Sequence, residues 1–269
     1  MSAILDLVLK IENLKLQIFT MSYQIPQLKN YLGLYHAFST KDDGNMSFKW
    51  GQTDEVRQNR QKFLSRLNIE PSRVVSAELE HSDKIIKVTA ADANRGVLQD
   101  NYQLKGDSLI TNELGLYLWH IVADCLSVML YDSINQAVAL VHVGRKNANL
   151  QIISKTIKAM AEFYNTKPSG LVAGIGPAIK SCCYAYNEVE QTRDPAWSEF
   201  LTTKNDLIYI DLVGFTAEQL LDSGVVRNKL HISSDCTAHS DKSFSHYHAK
   251  QTNLPEKRFA AVIGLSNLK

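Results

Sequence analysis

The 269-residue sequence predicts a single α+β domain built on a mixed sheet, and three observations carry that expectation. Short runs rich in branched residues follow one another, separated by polar turns. Segments of helical period are interspersed among them without alternating strictly, as a doubly wound fold would require. No internal repeat, low-complexity tract or linker divides the chain.

The elements can be taken in order. Ile4, Leu7, Val8, Ile11, Leu14 and Ile18 fall at helical spacing, so residues 3–19 read as a short amphipathic helix. Because Met21 offers a second start, residues 1–20 are either an N-terminal helical extension or a misassigned start, and the domain proper is 21–269. Asp-Asp-Gly-Asn within "HAFSTKDDGNMSF" marks a turn. A helix is expected from Thr53, with Asp54 and Glu55 in its first turn and Val56, Phe63, Leu64 and Leu67 as its buried stripe. The strand-like runs are "RVVSAEL", "KIIKVT", "SLIT", "YLWHIVA", "VMLYD" and "AVALVHV". A helix over 148–164 follows, burying Ile152, Ile153, Ile157, Met160 and Phe163. Then come strand-like "LVAGIG", a helix around 188–200, "LIYIDL", a helix around 216–221, "KLHISS" and a final "FAAVIGL".

Bulk properties exclude several function classes. A formal net charge of +1 gives no broad attraction to nucleic acid or an anionic membrane, so a small neutral or singly charged substrate fits better. Four cysteines are too few for a disulfide scaffold and indicate a reducing, cytoplasmic compartment. Asp6, Lys10, Glu12 and Lys15 interrupt the apolar N-terminus, which therefore does not read as a signal peptide. No apolar run approaches the roughly 18 residues of a membrane span.

The chemistry centres on Cys125 and His142. If "VMLYD" and "AVALVHV" form a hairpin and "YLWHIVADC" leads into it, the two side chains face each other near one sheet edge. One reading makes Cys125 a thiolate nucleophile activated by His142. The other makes both ligands of a soft metal, with His81 in "AELEHSDKII" as the upstream candidate for a third. Asp124 is either a proton carrier or a residue that orients the ligands. Near the C-terminus, Cys236, His239, Asp241, His246 and His248 form either a second metal cluster or a polar loop, with His246 and His248 on one face if the segment is a strand. "GIGPAIKSCCYAY" lacks the spacing of a phosphate loop and reads as a tight corner after a strand. Its adjacent Cys182 and Cys183 read as core thiols rather than a disulfide.

In order and spacing, "HAFSTKDDGNMS", His81, "VADC", "ALVHVG", "GIGPAIKSCCY", "DCT" and "KRFAAVIGL" resemble the bacterial laccase-domain family, whose members are also called purine nucleoside phosphorylase or polyphenol oxidase family proteins. The resemblance covers residues 30–265. It implies a mixed β-sandwich flanked by helices, in α/β/β/α layers, and zinc or copper held by His81, Cys125 and His142. It further implies phosphorolysis of adenosine, inosine, guanosine and methylthioadenosine, with purine nucleosides and inorganic phosphate as partners, and deamination of adenosine. A related branch implies amide hydrolysis in peptidoglycan-precursor editing. A multicopper oxidase needs many paired histidines, whereas this chain has eight histidines in all, so a true laccase is not expected.

Lys41, Arg145, Lys146 and Arg258 are the candidate phosphate-binding cations. This chain departs from the family pattern at "GRKN", where Gly-Trp-Arg-Gly is usual, at Lys41, where arginine is common, and at "FSHYH", which usually ends in arginines. Lysine does not replace arginine's planar fork on an anion, so the metal triad is expected to persist while phosphate use is altered. The leading expectation is thus a metal-dependent purine nucleoside phosphorylase. A cysteine or metal hydrolase using Cys125 and His142, and a non-catalytic metal-binding protein, are the alternatives.

Overall fold

Strands buried on both faces need a cover on each side, and the architecture follows from that requirement. The structure is a computed structural model describing residues 22–266; the helix expected over 3–19 lies outside the described residues. In chain order the strands are β1 (Leu34–Phe38), β2 (Val74–Ser76), β3 (Ile85–Lys87), β4 (Ser108–Thr111), β5 (Tyr117–Val122), β6 (Leu126–Asp132) and β7 (Ala137–Val143). The second half adds β8 (Val172–Ile175), β9 (Ala185–Tyr186), β10 (Leu201–Lys204), β11 (Leu207–Ile210), β12 (Leu230–Ile232) and β13 (Phe259–Leu265). The α-helices are α1 (Thr53–Arg66), α2 (Arg145–Asn149), α3 (Ile152–Tyr164), α4 (Leu212–Asp222) and α5 (His246–Thr252).

A six-stranded mixed sheet in the order β12-β8-β6-β7-β4-β3 packs on a four-stranded sheet in the order β1-β13-β5-β2, and β10-β11-β9 form a small third sheet. The β6–β7 hairpin lies at the centre, and every residue of both strands is buried. Met129, Tyr131, Val138 and Leu140 point into the space between the large sheets, meeting Phe38, Leu118, Ala261 and Ile263. Their neighbours Val128, Leu130, Val141 and Val143 point the other way, into a core closed by Ile153, Ile157 and Met160 of α3 and Leu212 and Leu220 of α4. On the outer face of the four-stranded sheet, Trp119, Ala260 and Val262 pack against Phe63 and Leu64 of α1. The result is the expected single α+β domain, with helices outside two stacked sheets. Among the described residues no helix is long and apolar enough to cross a membrane.

Three local expectations are corrected. The helix expected over 148–164 is two helices, α2 and α3, broken where Gln151 adopts φ +61°. Phe163 is exposed rather than buried, its ring lying 4.8 Å from the Lys87 Nζ. The helix expected around 188–200 is two short 3-10 segments, Glu190–Arg193 and Pro195–Phe200, because Pro195 has no N–H to continue an α-helix and Asp194 caps the second segment through Ala196 N.

Arg60, on the inner face of α1, is fully buried and was absent from the apolar stripe read from sequence. Its guanidinium donates to the carbonyls of Met46, Gly96 and Val97 at 2.7, 2.8 and 2.7 Å and lies 4.1 Å from the Phe48 ring centroid. It thereby ties α1 to the 46–50 segment. Arg60→Met leaves three buried carbonyls without a donor, so unfolding in urea is expected to show a loss of about 3–5 kcal/mol. A loss below about 1 kcal/mol would contradict this role.

Candidate metal centre

Sequence-distant side chains meet at the open end of the β6–β7 hairpin. Cys125 immediately precedes β6, His142 is the penultimate residue of β7 and pairs with Ser127, and His81 comes from the loop between β2 and β3. The ligand atoms of His81, Cys125 and His142 all lie within 4.8 Å of one another. His81 Nε2 is 3.7 Å from the Cys125 Sγ, and the two imidazole centroids are 4.7 Å apart, edge to face. Gly144 makes this approach sterically feasible: a Cβ there would lie 2.7 Å from His81 Cδ2 and 3.2 Å from the Cys125 Sγ.

Asp107, which the sequence reading missed, organises the group. Its Oδ1 accepts from His142 Nδ1 at 2.7 Å and from the backbone N–H of His81 at 3.0 Å. Its Oδ2 accepts from the N–H of Glu80 and of Ser82 and from the Ser82 hydroxyl. One buried carboxylate thus holds His81 in a left-handed conformation (φ +55°) and leaves Nε2 as the free ring nitrogen of His142. A histidine whose second nitrogen is fixed by a carboxylate is the usual arrangement around zinc, so the residues present fit a soft divalent ion. Nothing in "KGDSLIT" marks Asp107 as part of a site; only the pairing of Ser108 with Val141 brings it beside His142.

Asp124 also sits in the left-handed region (φ +80°) and aims the chain into Cys125. Its carboxylate accepts from the Thr237 hydroxyl and the Tyr247 N–H, both at 2.6 Å, and its carbonyl accepts from Ile179 N. These contacts fix the conformation of the residue that leads into Cys125. Asn147 is similarly structural, accepting from Gly144 N and donating to the His142 carbonyl.

Electrostatics couple the triad. Burial would push the Cys125 thiol up, but His142 and then His81 outweigh it and bring Cys125 down to about 6. Burial likewise opposes the charged form of His142, which Cys125 and Asp107 nevertheless raise to about 9. Asp107, despite desolvation, is lowered to about 2 by His142 and Ser82. Without a metal the mutual effect of the two groups favours the thiolate–imidazolium pair.

The centre forms part of the lining of a cleft of ≈ 660 Å³, with Phe48, Trp50, Tyr102, His246 and Arg258 among the other walls. Arg258 Nη2 donates to Glu256 at 2.9 Å, the same carboxylate oxygen lies 2.7 Å from His246 Nδ1, and the guanidinium lies 5.5 Å from the Trp50 ring. Of the four cations expected to bind phosphate, only Arg258 lines the cleft. Lys41 donates to the Ser240 carbonyl, Arg145 lies over the Tyr184 and Tyr186 rings, and Lys146 is on the exposed side of α2. The C-terminal cluster is divided. His246 and His248 lie on helix α5 rather than a strand, while Cys236 and His239 join Cys182 and Cys183. That pair is surface-accessible, Cys182 exposed and Cys183 half-buried, so neither is a core thiol.

Asp107→Asn replaces an acceptor by an amide whose N–H₂ opposes the surrounding donors. Zinc affinity, measured by competition with a chromogenic chelator, is expected to fall about 10–100-fold. In the metal-stripped wild type, alkylation of Cys125 should be half-maximal near pH 6, where its thiolate is lost on acidification. In Asp107→Asn the midpoint should rise toward the ordinary thiol range, because His142 loses its charge at lower pH. An unshifted midpoint would contradict the coupling.

The family model described as "Multi-copper polyphenol oxidoreductase laccase" matches residues 36–266. The chain is 28% identical over 217 residues to the purine nucleoside phosphorylase YlmD of Bacillus subtilis, covering 78% of this chain and 77% of that protein. It is 30% identical over 196 residues to a purine nucleoside phosphorylase of Corynebacterium glutamicum, covering 71% and 75%. Among solved structures, YlmD from Geobacillus stearothermophilus superposes with a TM-score of 0.80 at 26% identity, covering 87% of this chain and 93% of that one. The Bacillus licheniformis protein YfiH superposes with the same TM-score and identity, covering 86% and 92%. With a match spanning most of its length, this chain belongs to the multi-copper polyphenol oxidoreductase laccase family.

Proposed function

We propose that this protein is a metal-dependent purine nucleoside phosphorylase that accepts adenosine, inosine, guanosine and methylthioadenosine, with adenosine deamination as a second activity of the same centre. The observation that carries the reading is a compact His-Cys-His donor set in the wall of a cleft that also holds aromatic rings and one arginine. The purine nucleoside phosphorylase names of the similar proteins support it.

The chain's own groups divide the work. Trp50, 39% exposed at the cleft, offers a ring face on which a purine stacks. Arg258, whose Nη2 donates to Glu256 and Nη1 to the Lys257 carbonyl, binds phosphate with its remaining N–H groups. Phosphorolysis forms a bond from a phosphate oxygen to the ribose C1′ and breaks the bond from C1′ to the base, which leaves with a proton. In this reading His246, held by Glu256 through Nδ1, gives up that proton from Nε2 of its imidazolium form. Zinc or copper on His81, Cys125 and His142 would supply a Lewis-acidic position open to substrate. Lys41, Arg145 and Lys146 take no part in phosphate binding in this reading.

A second reading, amide hydrolysis with Cys125 as nucleophile and His142 as base, is favoured by the lowered thiol alone. The two differ in their response to metal, which the phosphorylase needs and a cysteine hydrolase does not.

Free base released from adenosine and inosine, followed by chromatography, should require phosphate and should disappear in Cys125→Ala. Arg258→Ala should raise the KM for phosphate about 10-fold or more, with a smaller effect on the KM for nucleoside. Deamination should appear as phosphate-independent inosine from adenosine. Base release that survives metal removal and Cys125→Ala would sink the proposal.

A further inference from the structure

The fold builds a second cluster of soft donors that shares no ligand with the first. The ligand atoms of Cys182, Cys183, Cys236 and His239 also lie within 4.8 Å of one another. The Cys183 Sγ is central, 3.5 Å from the Cys182 Sγ, 3.7 Å from the Cys236 Sγ and 3.0 Å from His239 Nε2. For a tetrahedral zinc with bonds of about 2.3 Å to sulfur, the expected S···S edge is about 3.8 Å. The observed separations therefore approach such an edge, and they are far longer than a disulfide's S–S bond of about 2.0 Å. Adjacency of Cys182 and Cys183 is compatible with this, since two neighbouring thiolates can span one edge.

The backbone holds these donors in place. A turn sets Cys236 and His239 three residues apart, with His239 N donating to the Cys236 carbonyl. A second turn carries Cys182 and Cys183, with Cys183 N donating to Lys180 O. An isolated parallel bridge between Ala178 and Cys236 joins the two loops, reinforced by Thr237 N to Ala178 O and by Lys180 Nζ to Ser233 O. Both loops grip Asp124: Ile179 N donates to its carbonyl and the Thr237 hydroxyl to its carboxylate.

We propose that Cys182, Cys183, Cys236 and His239 form a second, structural zinc site of the Cys₃His type, which clamps the 178–183 and 233–239 loops around Asp124 and so fixes the position of Cys125. Four protein ligands leave no open position, which separates this site from the three-ligand centre in the cleft. Three thiolates favour a soft d¹⁰ ion, and binding releases their protons to solvent. The site does not depend on which reaction the cleft performs.

Elemental analysis of untagged protein purified with zinc should give about two equivalents per wild-type chain and about one in Cys125→Ala. X-ray absorption at the zinc edge of Cys125→Ala should then show three sulfur ligands and one nitrogen. Cys236→Ser should lose one equivalent and, with circular dichroism showing it folded, should hold the remaining zinc about 10-fold or more weakly in chelator competition. Should Cys236→Ser not fold, the sulfur count in Cys125→Ala decides alone. No zinc in Cys125→Ala, a ligand shell with fewer than two sulfurs, or a disulfide mapped among these cysteines in protein purified without reductant would overturn the site. Unchanged affinity in a folded Cys236→Ser would overturn its role in placing Cys125.

Discussion

The Asp107 carboxylate is the constraint on which the rest of the centre depends. It is buried at the start of β4 and satisfies two structures at once: the turn of three backbone N–H groups at residues 80–82 and the imidazole of His142. A buried carboxylate is costly unless its lone pairs are used, and here the donors that use them are the ones that aim two of the three ligands. His81 would otherwise have little reason to remain at positive φ, and His142 could present either nitrogen. The third ligand is held by the same logic at Asp124, whose left-handed conformation is maintained by Thr237, Tyr247 and Ile179. Both carboxylates order the chain around the ligands.

Much of the fold was legible because its strands obey simple periodicity. "SLIT", "AVALVHV" and "FAAVIGL" are the observed strands residue for residue, and the stripe of Val56, Phe63 and Leu64 is the buried side of α1. Strand alternation likewise separates Leu140, which faces one core, from Val141 and Val143, which face the other. What escaped was polar and long-range. Arg60 sits inside an apolar stripe, and its partners are carbonyls, which have no signature in sequence. Asp107 acquires its role only through strand pairing, and Gly144 only through the rings that crowd it. Pro195 ends the helical period after Asp194 through its missing N–H, whereas the left-handed Gln151 between α2 and α3 has no mark in the residue pattern.

The departures from the family pattern acquire structural explanations. Asn147 ties together the turn after β7, and Arg145 covers two tyrosine rings instead of facing the cleft. Tyr247, in the segment that usually ends in arginines, gives its N–H to Asp124 and its hydroxyl to the Ala185 carbonyl. Of the four cations named from the sequence only Arg258 lines the cleft, beside Trp50 and a Glu256–His246 pair, with Lys49 on the same wall. The arrangement keeps the three soft donors together and leaves Arg258, its guanidinium partly engaged by Glu256, and Lys49 as cations in the cleft lining.

Anomalous difference maps from crystals grown with zinc, recorded on both sides of the zinc absorption edge, reveal whether His81, Cys125 and His142 bind one ion together. A zinc held by the three ligands gives a peak about 2.0–2.1 Å from Nε2 of His81 and of His142 and about 2.3 Å from the Cys125 Sγ, with His142 Nδ1 still on Asp107. Fully occupied crystals with no peak between those three atoms, or with His142 turned to bind through Nδ1, would contradict it.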